Sequence, residues 1–130
     1  MQKLNHKYIK KIVSQALKED LRPAGDITTK FIKNNNKQAL AKIISRQNGV
    51  VSGVEFCRKA FELLDKKTIF KKKVNDGSKV KKGKTIAIIS AKIKSILTAE
   101  RTALNFLNHA SGISTYTYQF VKRCNKKTKI

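Results

Sequence analysis

One hundred and thirty residues suffice for one domain with a real core and are too few for two. A formal net charge of +22 points to anionic partners, either nucleic acid or phosphate-bearing metabolites. Lysine, however, is spread along nearly every segment together with plentiful Asn and Ile, the usage that A/T-rich codons supply, so a solvated surface accounts for most of the charge and nucleic-acid binding is a minority reading. Near the N-terminus no apolar run is long enough for a signal peptide or a membrane span. Cys57 and Cys124 stand far apart with no metal-ligand spacing, so reduced thiols and a cytoplasmic location are the expectation.

In chain order, Ile9, Ile12, Val13, Ala16 and Leu17 recur at helical spacing and predict an amphipathic first helix. Arg22, Pro23, Ala24 and Gly25 should break it, with Asp26 capping a short turn and Asn34 to Asn36 forming a loop. A strand is predicted over 38–45, where Ala39, Ala41 and Ile43 alternate imperfectly with Gln38, Leu40 and Lys42. Gln47, Asn48 and Gly49 signal a turn. Gly53 then opens a second helix with Val54, Cys57, Phe61 and Leu64 on its apolar face. A second strand candidate spans 68–74 and ends in the turn Asn75, Asp76, Gly77.

The firmest helix expectation covers about 98–111. Ala99, Ala103, Phe106, Leu107 and Ala110 share one apolar arc with Leu104 at its edge, Thr98 suits the N-cap, and Gly112 supplies a stop. A further helix is expected over 114–123. Arg101, Asn105 and Asn108, at i, i+4 and i+7, align a guanidinium fork and two amides along one polar ridge that suits an anion. Periodicity alone leaves Arg101 open between a solvated arginine and a ligand clamp. Glu100 sits beside Ala103, Leu104 and Leu107 on the side expected to be buried, where it must either find partners or reach water. His109 reads as a surface or packing histidine.

The run ERTALNFLNHASGIST resembles the signature helix of quinolinate phosphoribosyltransferases, the carboxylating nicotinate-nucleotide pyrophosphorylases. Glu19, Asp20, Gly25, Asp26 and Thr28 resemble that family's E-D-x-x-x-x-G-D-x-T segment, and GVVSGVEFCRKAF and DGSKVKKGKTIAIISAKIKSIL follow its middle region in order. The resemblance implies an enzyme of NAD biosynthesis, a glycosyltransferase that converts quinolinate and phosphoribosyl pyrophosphate to nicotinate mononucleotide, pyrophosphate and CO2. It implies an α+β fold: an N-terminal α/β sandwich of short, mainly antiparallel strands with flanking helices, here residues 1–111, followed over 112–130 by a helix and the start of the connection to a C-terminal α/β barrel.

That barrel is missing from these 130 residues. With it would go the family's catalytic residues and the binding of phosphoribosyl pyrophosphate with Mg2+, so the chain alone is expected to be inactive. Arg101 matches the family arginine that reaches into the neighbouring subunit's active site and binds a quinolinate carboxylate, with Glu100, Asn105 and Asn108 as supporting residues. A homodimer or higher homo-oligomer is implied, with no membrane association. A sister branch associated with molybdenum transport shares the helix signature and leaves a second substrate class open.

The alternative is a non-catalytic binding module: a basic nucleic-acid binder, or a biotinyl- or lipoyl-like carrier. The segment from Gly77 through Val80 and Gly83 to Lys92 resembles a carrier half-barrel with Lys92 at a hairpin tip. Lys92 lacks the methionine neighbours usual for biotin attachment, and no aromatic platform supports nucleic-acid binding.

Overall fold

The computed structural model describes residues 3–21 and 36–124. The expected break and cap at Arg22 to Asp26, the motif residue Thr28, Asn34 and Asn35, and the tail from Asn125 lie outside them.

Helix α1, His6–Asp20, starts where the Asn5 side chain accepts the backbone N–H of Lys7 at 2.9 Å. It buries Ile9, Val13 and Leu17 along the predicted face. Strand β1, Gln38–Ile44, alternates as expected: Ala39, Ala41 and Ile43 turn inward, while Leu40 and Ile44 face out. A short strand β2, Gly49–Val50, precedes helix α2, Val54–Leu64, which buries Val54, Cys57, Ala60 and Phe61. Gly53 holds φ at 87° ahead of this helix, and the Asp76 carboxylate accepts the Val54 N–H at 3.1 Å. The predicted Asn75-Asp76-Gly77 turn thus caps a helix more than twenty positions upstream.

Strands β3 (Ile69–Lys72), β4 (Lys79–Val80) and β5 (Thr85–Lys92) complete the α+β fold. The main sheet has the order β1-β5-β3 and is antiparallel throughout, and β2 pairs with β4 in a separate two-stranded ribbon. Ala41, Ile89 and Phe70 lie side by side across the sheet's inner face, in contact with or within the core. On the outer face Leu40 and Ile69 flank Ser90 and are 75% and 56% exposed.

The principal correction concerns helix α3. It runs without interruption from Ile93 to Arg123, rather than starting near Thr98, stopping at Gly112 and restarting at Ser114. Lys92, the last residue of β5, is its N-cap, so the strand passes straight into the helix. Gly112 keeps a negative φ, since the positive-φ glycines among the described residues are Gly53, Gly77 and Gly83. A glycine inside a helix costs only about 1 kcal/mol relative to alanine. Residues on both sides of Gly112 are anchored, Thr115 to Val50 of β2 and Ser111 to Ser52 just beyond it, which offsets that cost.

Three helices and the sheet share one core. Ala99 and Ala103 of α3 are fully buried and allow close approach to the other elements, while the Phe56 and Phe106 rings stack at 5.3 Å between α2 and α3. Burial raises the Cys57 thiol to about 12, which makes it an inert core residue.

Candidate functional site

The exposed side of α3 carries the predicted ridge. Arg101, Asn105 and Asn108 are all exposed, whereas Ala99, Thr102, Ala103 and Leu107 are buried. The contrast follows from helical geometry: the small and apolar positions fix one face in the core, and the polar positions project opposite it. On one flank a groove of about 700 Å³ lies between α3 and the acidic end of α1, bordered by Glu19, Asp20, Asn105 and Asn108. On the other flank a cleft of about 1040 Å³ opens between α3 and the β1–β2 loop, with an apolar floor and with Glu100, Asn108 and Arg46 on its walls. Asn108 borders both.

Glu100 is exposed, so of the two alternatives it reaches water, although Ala103 and Leu107 beside it are buried. The cleft separates α3 from β1 there, so the arc carrying Glu100 and Leu104 opens to water. No ion pair joins Glu100 to Arg101; among the described residues the pairs are Arg58–Glu55, Lys59–Glu62 and Lys72–Glu55. Arg101 likewise makes no hydrogen bond or ion pair with the described residues. Among the described residues its guanidinium is therefore uncommitted, leaving its five donors for an incoming acceptor.

Two sets of residues escape a reading of the sequence. Thr102 is buried in the helix face and donates to the Asp20 carboxylate at 2.5 Å, which ties the Glu19-Asp20 motif to α3. A polar residue between Arg101 and Ala103 on the inward side is the available signal. Ser111 and Thr115, spaced i and i+4, grip the backbone on either side of Val51. Their signal is the same spacing that marks the ridge, but the expected stop at Gly112 divides them between two helices.

Lys92 does not occupy a hairpin tip. It ends β5 and caps α3, and its backbone N–H donates to the Asp65 carboxylate at 3.3 Å. Asp65 also accepts the Lys67 N–H at 2.9 Å. That hydrogen bond, ahead of the one from Lys92, holds its carboxyl below the usual range against the opposing effect of burial. The carrier reading loses the geometry it required.

Among the described residues no group of three or more His, Cys, Asp or Glu side chains could hold a metal ion, so no step through Mg2+ can be assigned to them. No helix among them is long and apolar enough to cross a membrane.

This α+β architecture is that of the N-terminal domain of a phosphoribosyltransferase. The chain superimposes on the nicotinate-nucleotide pyrophosphorylase from Francisella tularensis with a TM-score of 0.85 and 32% sequence identity, over 92% of this chain and 42% of that one. It is 33% identical to quinolinate phosphoribosyltransferase [decarboxylating] 1b of Nicotiana tabacum over 84% of its length and 31% of that protein's. To a probable nicotinate-nucleotide pyrophosphorylase [carboxylating] of Bacillus subtilis it is 31% identical, over 92% of this chain and 40% of the relative. Residues 26–111 match the family model for the quinolinate phosphoribosyl transferase N-terminal domain. The chain belongs to the quinolinate phosphoribosyltransferase family, and it spans about a third to two-fifths of the length of these relatives.

Proposed function

We propose that this chain is the N-terminal part of a quinolinate phosphoribosyltransferase of NAD biosynthesis, and that Arg101 binds a carboxylate of quinolinate. The observation that carries this reading is the uncommitted, exposed Arg101 guanidinium on a helix whose opposite face is fixed in the core. A planar fork donates two parallel hydrogen bonds to a carboxylate and also stabilises the negative charge that decarboxylation leaves on the pyridine ring. Asn105 and Asn108 flank it as neutral donors and acceptors. Glu100, which makes no ion pair with the arginine, is its sequence neighbour on the side of the cleft.

On this reading residues 1–111 form the sandwich domain and the helix beyond 112 leads towards the barrel. Phosphoribosyl pyrophosphate and Mg2+ bind the barrel, the enzyme assembles as a homo-oligomer in the cytoplasm, and the 130 residues alone do not turn over substrate.

Replacing Arg101 with Ala in the intact enzyme tests the assignment. The KM for quinolinate should rise at least about tenfold, the equivalent of a charge-assisted hydrogen bond, with little change for phosphoribosyl pyrophosphate. Arg101→Lys, which keeps the charge and loses the fork, should fall between. Equal losses for both substrates would remove Arg101 from the carboxylate site.

A further inference from the structure

Helix α3 is joined to strand β2 by an arrangement that packing alone does not require. Ser111 Oγ accepts the backbone N–H of Ser52 at 3.0 Å and donates to the Ser52 carbonyl at 3.1 Å. Thr115 Oγ1 does the same with Val50, at 2.9 Å and 3.4 Å. Each hydroxyl thus occupies the place of a neighbouring strand residue, accepting and donating to one backbone unit. Four residues along a helix rise about 6 Å, close to the span of about 6.6 Å for two residues of a strand, so both bridges close together. The helix and strand run in opposite directions.

The close approach is built into the strand as well. A Cβ on Gly49 would lie 2.7 Å from Thr115 Oγ1, and one on Gly53 would lie 3.0 Å from the Ala110 Cβ and 3.1 Å from the Phe106 carbonyl oxygen. A third attachment follows one turn later, where Lys79 of β4 donates to the Tyr118 hydroxyl at 2.6 Å and lies over its ring. Ser111, Thr115 and Tyr118, at i, i+4 and i+7, therefore hold the β2–β4 ribbon along one line of the helix.

Arg101 lies on the same unbroken helix, ten residues from Ser111, and has no partner of its own among the described residues. The direction in which it projects is set by the rotation of α3 about its axis. The buried face near it consists of Ala99, Thr102 and Ala103: the alanines offer little side-chain shape to resist rotation, and the Thr102–Asp20 hydrogen bond restrains the helix there at a single point. Directional hydrogen bonds resist it.

We propose that Ser111 and Thr115 are positioning residues that fix the rotation of α3 and thereby aim Arg101 at the substrate carboxylate. This rests on the carboxylate-binding role proposed for Arg101. Thr115→Val preserves shape and removes both of its bonds, and Ser111→Ala removes the other two. In the 130-residue chain, amide hydrogen exchange at Val50 and Ser52 should accelerate in the double variant. In the intact enzyme the quinolinate KM should rise about fivefold or more, within the reach of a displacement of roughly 1 Å, while the KM for phosphoribosyl pyrophosphate stays within about twofold.

Thr115→Val alone should show a smaller change of the same kind, and Thr115→Ser should restore the values of the unmodified enzyme. Faster exchange with an unchanged quinolinate KM would overturn the proposal, as would unchanged exchange or an equal rise in both KM values. Arg101→Ala is measured alongside. If it raises the quinolinate KM and the hydroxyl variants do not, only the positioning role fails; if it leaves that KM unchanged, the carboxylate reading and the positioning role fall together.

Discussion

Thr102 donates its hydroxyl to the carboxylate of Asp20 at 2.5 Å, joining helices that are 82 positions apart at those residues. Asp20 closes α1, and Thr102 follows directly after Arg101 on the buried side of α3. Asp20 therefore has a structural occupation, holding the end of α1 against the helix that carries the site.

Removing that donor with Thr102→Val should lower stability by about 1–2 kcal/mol, the order of a charge-assisted hydrogen bond whose acceptor can still reach water. Asp20→Asn, which retains an acceptor oxygen, should cost less. Urea unfolding of the two variants measures the order.

Two glycines should respond in opposite directions to alanine. Gly112 has open space where a Cβ would stand and lies inside a helix, so Gly112→Ala should stabilise by about 0.5–1 kcal/mol. Gly53 has φ at 87° and backbone and side-chain atoms close to the site of a Cβ; Gly53→Ala should destabilise by about 1–2 kcal/mol or more. Thermal melts of both variants test the sign. A destabilised Gly112→Ala would show that the helix needs flexibility at that point.

Asp65 ties the start of β3 to the junction between β5 and α3. Its folded carboxyl is held below the ordinary value of 3.8, chiefly by the Lys67 N–H and then by the Lys92 N–H. A depressed folded pKa contributes stability above the unfolded value, and that contribution is lost as the pH falls through the folded one. Stability measured from neutral pH downward should therefore decline below about pH 4, and Asp65→Asn should flatten the decline while lowering stability at neutral pH.

Arg101→Ala should leave the fold's stability within about 0.5 kcal/mol, as expected of an exposed residue without partners among the described residues. A larger loss would reveal a structural function and weaken its assignment to substrate.

The elements governed by local pattern are legible in the residues themselves. Ile9, Val13 and Leu17 announce α1, Ala39 to Ile43 announce the inward side of β1, and the ridge of Arg101, Asn105 and Asn108 emerges from spacing alone. What is not legible depends on distant chain. Gly112 has the residue type of a helix stop, and only the bonds from Ser111 and Thr115 to β2 show why the helix continues. Glu100 shares an arc with the buried Ala103 and Leu107, but the cleft beside β1 lets its own side chain reach water. Lys92 suits a hairpin tip by its neighbours, yet the chain continues directly into helix after it. Thr102 interrupts an apolar face for no local reason, and its partner Asp20 comes from the far end of the domain.

The continuity of α3 turns sequence spacing into a gauge. Between Arg101 and Ser111 there is no loop to absorb an added or deleted residue, so a single insertion there would turn the arginine by about 100° and shift it by about 1.5 Å relative to the strand that grips the other end. Arg101, Ser111 and Thr115 are thus bound to a fixed count. A change of length would also turn Ala99, Thr102 and Ala103 out of register with the core, so the count that aims the arginine is the count that packs the helix.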